Sequence, residues 1–132
     1  MFKGKLYKIN TIDQLPPAEE NTPSGKYSVT LTLDRSHEIF KGHFPGSPIL
    51  PGVCQVEMVS ELAEGILGFK LLLSRASQVK FLNLINPLIS EVLQMNLKFI
   101  EQDSGEFDVS AEVTSADNVF MKMKGRLTEF KT

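Results

Sequence analysis

From Leu93 to Met123 apolar side chains recur at every second position, broken only around Asp103–Gly105 and Ala116–Asn118. A period of two is the signature of a strand with one buried face. The breaks are too short to carry a crossover, so neighbouring strands must run antiparallel. The segments SEVLQMNLKFIEQ, EFDVSAEVTS and VFMKMKGRLTEF are therefore three consecutive strands of one sheet. Upstream, KYSVTLTLD at 26–34 alternates in the same way, with Tyr27, Val29, Leu31 and Leu33 on one face. KLYKINTI at 5–12 reads as a short first strand, followed by the polar, proline-bearing loop DQLPPAEENTPSG. KLLLSRASQVKFLNLI, about 70–85, reads as a strand with a bend.

Only one segment changes period. After Pro51-Gly52, the residues Val53, Val56, Val59, Leu62, Ala63, Ile66 and Leu67 follow helical spacing. Cys54 and Met58 widen the apolar surface beyond one face, so this helix should be buried. The fold class is α+β: a long helix wrapped by a curved antiparallel sheet, in one domain spanning 1–132. An exposed edge of such a sheet invites pairing with a second copy.

Composition narrows the function. At 132 residues and 42% hydrophobic content the chain can build one core. A formal net charge of −2 does not point to nucleic acid or to a membrane surface. No apolar run reaches the roughly 20 residues of a membrane span, and MFKGKLYKIN is not followed by the apolar stretch of a secretory signal. The expected location is the cytoplasm. A single cysteine, Cys54, allows no disulfide within the chain, and His37, His43 and Cys54 lack metal-site spacing.

The chemistry concentrates where the strand pattern fails. SHEIFKGHFPGSPILPG, residues 36–52, holds three prolines and three glycines and cannot be regular helix or sheet. His43 within it can take a proton near neutral pH. Glu57 lies just over a turn into the helix among apolar neighbours, where desolvation favours the protonated acid. Glu61, four residues on, shares its side, and repulsion between the two favours a proton on one of them. The competing reading makes both a solvated stripe on a surface helix. The first amides of the helix, at Gly52 and Val53, are free to hold a developing oxyanion. A base, an acid and an oxyanion site suit proton abstraction beside a carbonyl with loss of a leaving group from the next carbon. Cys54 at a helix start also admits a Cys–His nucleophile, though a cysteine between valines belongs in a core. His37 reads as a loop residue that packs or caps.

The run FKGHFPGSPILPGVCQVE, with its glutamate fourteen residues after the histidine, resembles the signature of the 3-hydroxyacyl-acyl-carrier-protein dehydratases. The likeness is strong over 36–57 and looser through VKFLNLINPL. It implies the hotdog fold, His43 and Glu57 as catalytic residues, and the Gly52 amide, with Val53 beside it, as the donor to the thioester carbonyl. It also implies a homodimer in which the histidine of one subunit faces the acid of the other, some members assembling further as trimers of dimers. The substrate would arrive on the phosphopantetheine of acyl carrier protein, with no metal or redox cofactor. Lys41, Lys70, Arg75 and Lys80 are candidate contacts for that acidic carrier. Two departures stand out: Glu61 occupies a position where the family often carries glutamine, and NPLISEV replaces a frequent Pro-Gly-Asp. They leave the pathway open between fatty acid synthesis, which the resemblance implies, and a specialised lipid, polyene or polyketide pathway. On the same fold, an acyl thioesterase or a non-catalytic acyl-binding subunit is the alternative; retention of both His43 and Glu57 argues against the latter.

Overall fold

The structure is a computed structural model that describes residues 2–16, 24–41, 47–103 and 105–130. Six strands and one long helix follow in the order β1 (Tyr7–Leu15), β2 (Gly25–Leu33), α1 (Gly52–Leu67), β3 (Leu71–Phe81), β4 (Val92–Glu101), β5 (Glu106–Ser115) and β6 (Asn118–Glu129). The strands form one sheet, ordered β1-β2-β4-β5-β6-β3, with every pairing antiparallel. After β2 the chain crosses through α1 to the far edge of the sheet, lays down β3, and returns to place β4 beside β2. β1 and β3 are thus the two edges.

The alternation predicted from sequence sets the core. Leu93, Met95, Leu97 and Phe99 of β4 stand beside Phe107, Val109, Ala111 and Val113 of β5, and Met121, Met123 and Leu127 of β6 complete the layer. Against it α1 lays Cys54, Met58, Val59, Leu62 and Ala63, all buried. At roughly 1.5–3 kcal/mol for each large apolar side chain removed from water, this contact between helix and sheet dominates stability.

The structure refines the sequence reading at four points. β1 runs to Leu15, because β2 continues to pair with it as far as Leu15–Lys26 although its outer residues are polar. The helix stops at Leu67, where Gly68 takes φ 86° and donates to the Glu64 carbonyl, a left-handed cap. β3 ends at Phe81 rather than near 85, and its expected bend is two register shifts, at Leu73/Arg75 and Ala76/Gln78. There Gly125 of β6 is indispensable: a Cβ would run into the Arg75 carbonyl oxygen. Finally, the segment before the helix is not wholly irregular. Glu38–Phe40 form a 3-10 turn capped by His37, whose Nδ1 accepts from the Ile39 amide at 3.0 Å, the capping role anticipated for it.

Candidate active site

Helix α1 begins at Gly52, directly after Pro51, whose extended backbone (φ −61°, ψ 147°) turns the chain into the helix. The Pro51 carbonyl accepts from the amides of Cys54 and Gln55. The amides of Gly52 and Val53 come earlier, in the turn that has no intrahelical acceptor. Among the described residues neither amide has a hydrogen-bond partner. The approach to this turn is fixed from two sides. Leu50 donates its amide to the Ile85 carbonyl, and Gln55 Nε2 donates to the Leu50 carbonyl at 3.2 Å. Gln55 is buried, and its Oε1 has no partner.

Gly52 has a close neighbour. A Cβ there would stand 2.6 Å from Cζ of Phe81, so the ring from the end of β3 rests on the helix start. Val53 is 77% exposed, and Leu84, Leu88 and Ile89 are exposed on the segment that follows β3. The helix start is therefore open and bordered by apolar side chains. His43 lies outside the described residues.

Glu57 is half-buried, four residues after Val53 and so on the same side of the helix. Side chains of a helix lean towards its N-terminus, which inclines the Glu57 carboxyl towards the turn of free amides. Among the described residues it has no hydrogen bond or ion pair.

Glu61 departs from both sequence readings. It is neither part of a solvated stripe nor the carboxyl pushed towards neutrality: it is only 8% exposed, and burial alone would raise it. Against that burial the N-terminal ammonium lowers the carboxyl most, and three further donors also converge on it. The Phe2 amide reaches Oε2 at 2.7 Å, the Lys3 amide reaches Oε1 at 3.1 Å, and the Tyr7 hydroxyl reaches Oε1 at 2.9 Å. The Phe2 and Tyr7 hydrogen bonds help hold the Glu61 carboxyl below its usual range and so ionised. Burial first, then this hydrogen bond and the charges of Glu61 and Glu57, push the Tyr7 hydroxyl well above its ordinary value. Glu61 thus ties the first residues of the chain to the middle of the helix. Sequence reasoning missed Tyr7, which lies 54 positions away, and the two backbone donors carry no side-chain signal.

The remaining candidates sort cleanly. Cys54 is buried and desolvation raises its thiol, the opposite of an activated thiolate. Met58 and Leu62 are core residues. Among the described residues, no three His, Cys, Asp or Glu side chains converge as metal ligands. Among the described residues no helix is long and apolar enough to cross a membrane.

Comparison with known proteins places this geometry. The 3-hydroxyacyl-[acyl-carrier-protein] dehydratase FabZ of Lactiplantibacillus plantarum is 27% identical over 116 residues, covering 83% of this chain and 74% of the relative. Among solved structures, the dehydratase heterocomplex ApeI:P from Xenorhabdus doucetiae superposes with a TM-score of 0.64 at 23% identity, covering 89% of this chain and 99% of that one. A protein from Erwinia carotovora subsp. atroseptica superposes with a TM-score of 0.71 at 22% identity, covering 95% and 98%. One helix packed on a six-stranded antiparallel sheet is the hotdog fold, as the sequence predicted. A family model described as ApeI-like, ApeI dehydratase, matches residues 19–123, and the chain belongs to that dehydratase family.

Proposed function

We propose that the protein dehydrates a 3-hydroxyacyl thioester, carried on acyl carrier protein, to the trans-2-enoyl thioester in fatty acid or polyene/polyketide-related synthesis. The observation that carries this reading is the first two turns of α1. Free amides at Gly52 and Val53 stand on the same helix as an unpaired Glu57, at the end of the segment that holds His43. His43 takes the proton from the carbon next to the thioester carbonyl. The amides of Gly52 and Val53 hold the charge that develops on the carbonyl oxygen. Glu57 gives a proton to the 3-hydroxyl, the C–O bond breaks, and water leaves. Return of the proton from His43 to Glu57 through solvent closes the cycle without a metal or redox cofactor.

A homodimer completes the pocket in this reading. β3 is an edge strand, and exposed Leu72 and Phe81 on it, with Leu84 and Ile89 beyond, supply an apolar border for a second copy. The histidine of one protomer would then serve the acid of its partner, in a cytoplasmic enzyme that docks its substrate from a soluble carrier. The test is to incubate the protein with 3-hydroxybutyryl and crotonyl thioesters and to follow both by mass spectrometry. Reversible interconversion of the two is expected. Release of free acid without interconversion would assign a thioesterase instead, and no change in either would leave an acyl-binding protein.

A further inference from the structure

Gln55 grips both peptide planes that flank Pro51. Its backbone amide donates to the Pro51 carbonyl at 3.2 Å, and its side-chain Nε2 donates to the Leu50 carbonyl at 3.2 Å. Helical side chains lean towards the N-terminus, so a residue in the first turn can reach back past the helix start. The Pro51 carbonyl shares its plane with the Gly52 amide. The direction of that amide therefore depends on how the two planes are held. The grip extends outward: the Leu50 amide donates at 2.8 Å to the carbonyl of Ile85, a fully buried residue between β3 and β4. Leu50 is thus fixed at both its N–H and its C=O, two residues before Gly52.

Packing alone gives little reason for an amide at this position. Gln55 is only 3% exposed and lies on the buried side of α1 with Cys54, Met58, Val59 and Leu62. Its Oε1 is buried and has no partner among the described residues. Turning the amide over would face Oε1 with the Leu50 carbonyl, acceptor against acceptor. A methionine has a similar length and brings no strong acceptor of its own. It would leave the Leu50 carbonyl unpaired in place of Oε1, one unpaired acceptor replacing another. What methionine would lose is the donor that fixes the turn. Nor does Gln55 share a side with the proposed acid. At about 100° per residue, Gln55 and Glu57 lie on nearly opposite sides of the helix.

We infer that Gln55 is a positioning residue for dehydration, aiming the Gly52 and Val53 amides at the thioester oxygen, which rests on the dehydratase reading above. The role is one of direction. A donor weakens steeply as it swings off line. Preorganised donors are effective because they need no reorientation as charge develops on the oxygen. Freeing the Leu50 carbonyl lets the planes at Pro51 rock, and the transition state loses more by this than the bound substrate does.

The test compares the full chain with its Gln55→Met and Gln55→Asn variants in hydration of crotonyl-pantetheine, with a melting curve for each. Asparagine keeps the amide but is one methylene short of the Leu50 carbonyl. Both variants should lose roughly 20- to 100-fold in kcat, with KM within about twofold. Gln55→Met should melt within about two degrees of the unsubstituted chain, because it exchanges one unpaired acceptor for another. Infrared spectra of bound crotonyl-pantetheine with an isotope-labelled carbonyl give a readout that a merely structural role would not move. Binding to the unsubstituted chain should shift the carbonyl band to lower frequency. That shift should shrink in Gln55→Met and persist in Glu57→Gln, which leaves the amides in place. An unchanged shift in Gln55→Met, whatever its kcat, would overturn the inference and leave the dehydratase reading intact. Loss of folding in Gln55→Met would also overturn it, since Gln55 would then be a structural strut. Failure of the unsubstituted chain to hydrate the thioester would instead end the dehydratase reading, and the role of Gln55 with it.

Discussion

The first two turns of α1 and its middle carry the same residue type on the same side of one helix, yet the two regions are built to opposite ends. Glu61 is saturated: two backbone amides and the Tyr7 hydroxyl converge on it, and the product is a fixed anion that anchors the start of the chain. Glu57, one turn earlier, is half-buried without a partner among the described residues, near amides that are equally unpaired. Amides and a carboxyl without protein partners at an open helix start are groups that a ligand can engage. Satisfaction, rather than residue type or spacing, separates the structural carboxylate from the one proposed as the acid.

The largest expected effect tests the unsatisfied region. His43→Ala should reduce dehydration about a thousandfold, within the range of a lost general base, and leave the melting temperature within a degree or two. Retained turnover would move the base elsewhere and remove the contrast between the regions.

The satisfied region should respond in stability. Glu61→Gln replaces an anion that accepts three hydrogen bonds and should cost about 2–3 kcal/mol in chemical denaturation at pH 7. The sign of its pH dependence follows from a carboxyl held below its unfolded value. Its contribution is fully present above about pH 4.5 and is lost as pH falls through the lower folded value. The gap between the original chain and Glu61→Gln should therefore close in acid. A gap that widened there would mean that Glu61 is not ionised in the fold.

The smallest effect concerns Cys54, in the first turn of α1. Its buried, raised thiol should react with a maleimide far more slowly in the native protein than in denaturant. Rapid native labelling would instead make the helix start a thiolate site.

The sequence made the fold legible where structure is local. Alternation from Leu93 to Met123 marked β4, β5 and β6, because a period of two needs only neighbouring residues. It could not locate the end of β3, whose bulges depend on Gly125 meeting the Arg75 backbone across strands. The spacing of His43, Gly52 and Glu57 was legible because the three fall close together in the chain. The fate of Glu61 was not, since its partners come from the far end of the chain.

The most direct test sets Glu57→Gln beside Glu61→Gln in one assay of crotonyl-thioester hydration, with melting curves for both. The account predicts that Glu57→Gln loses at least a hundredfold in rate and melts like the original chain. Glu61→Gln should melt lower and keep its rate within tenfold at temperatures where it is folded. The reverse pattern, a stable but inactive Glu61→Gln beside an active Glu57→Gln, would contradict it.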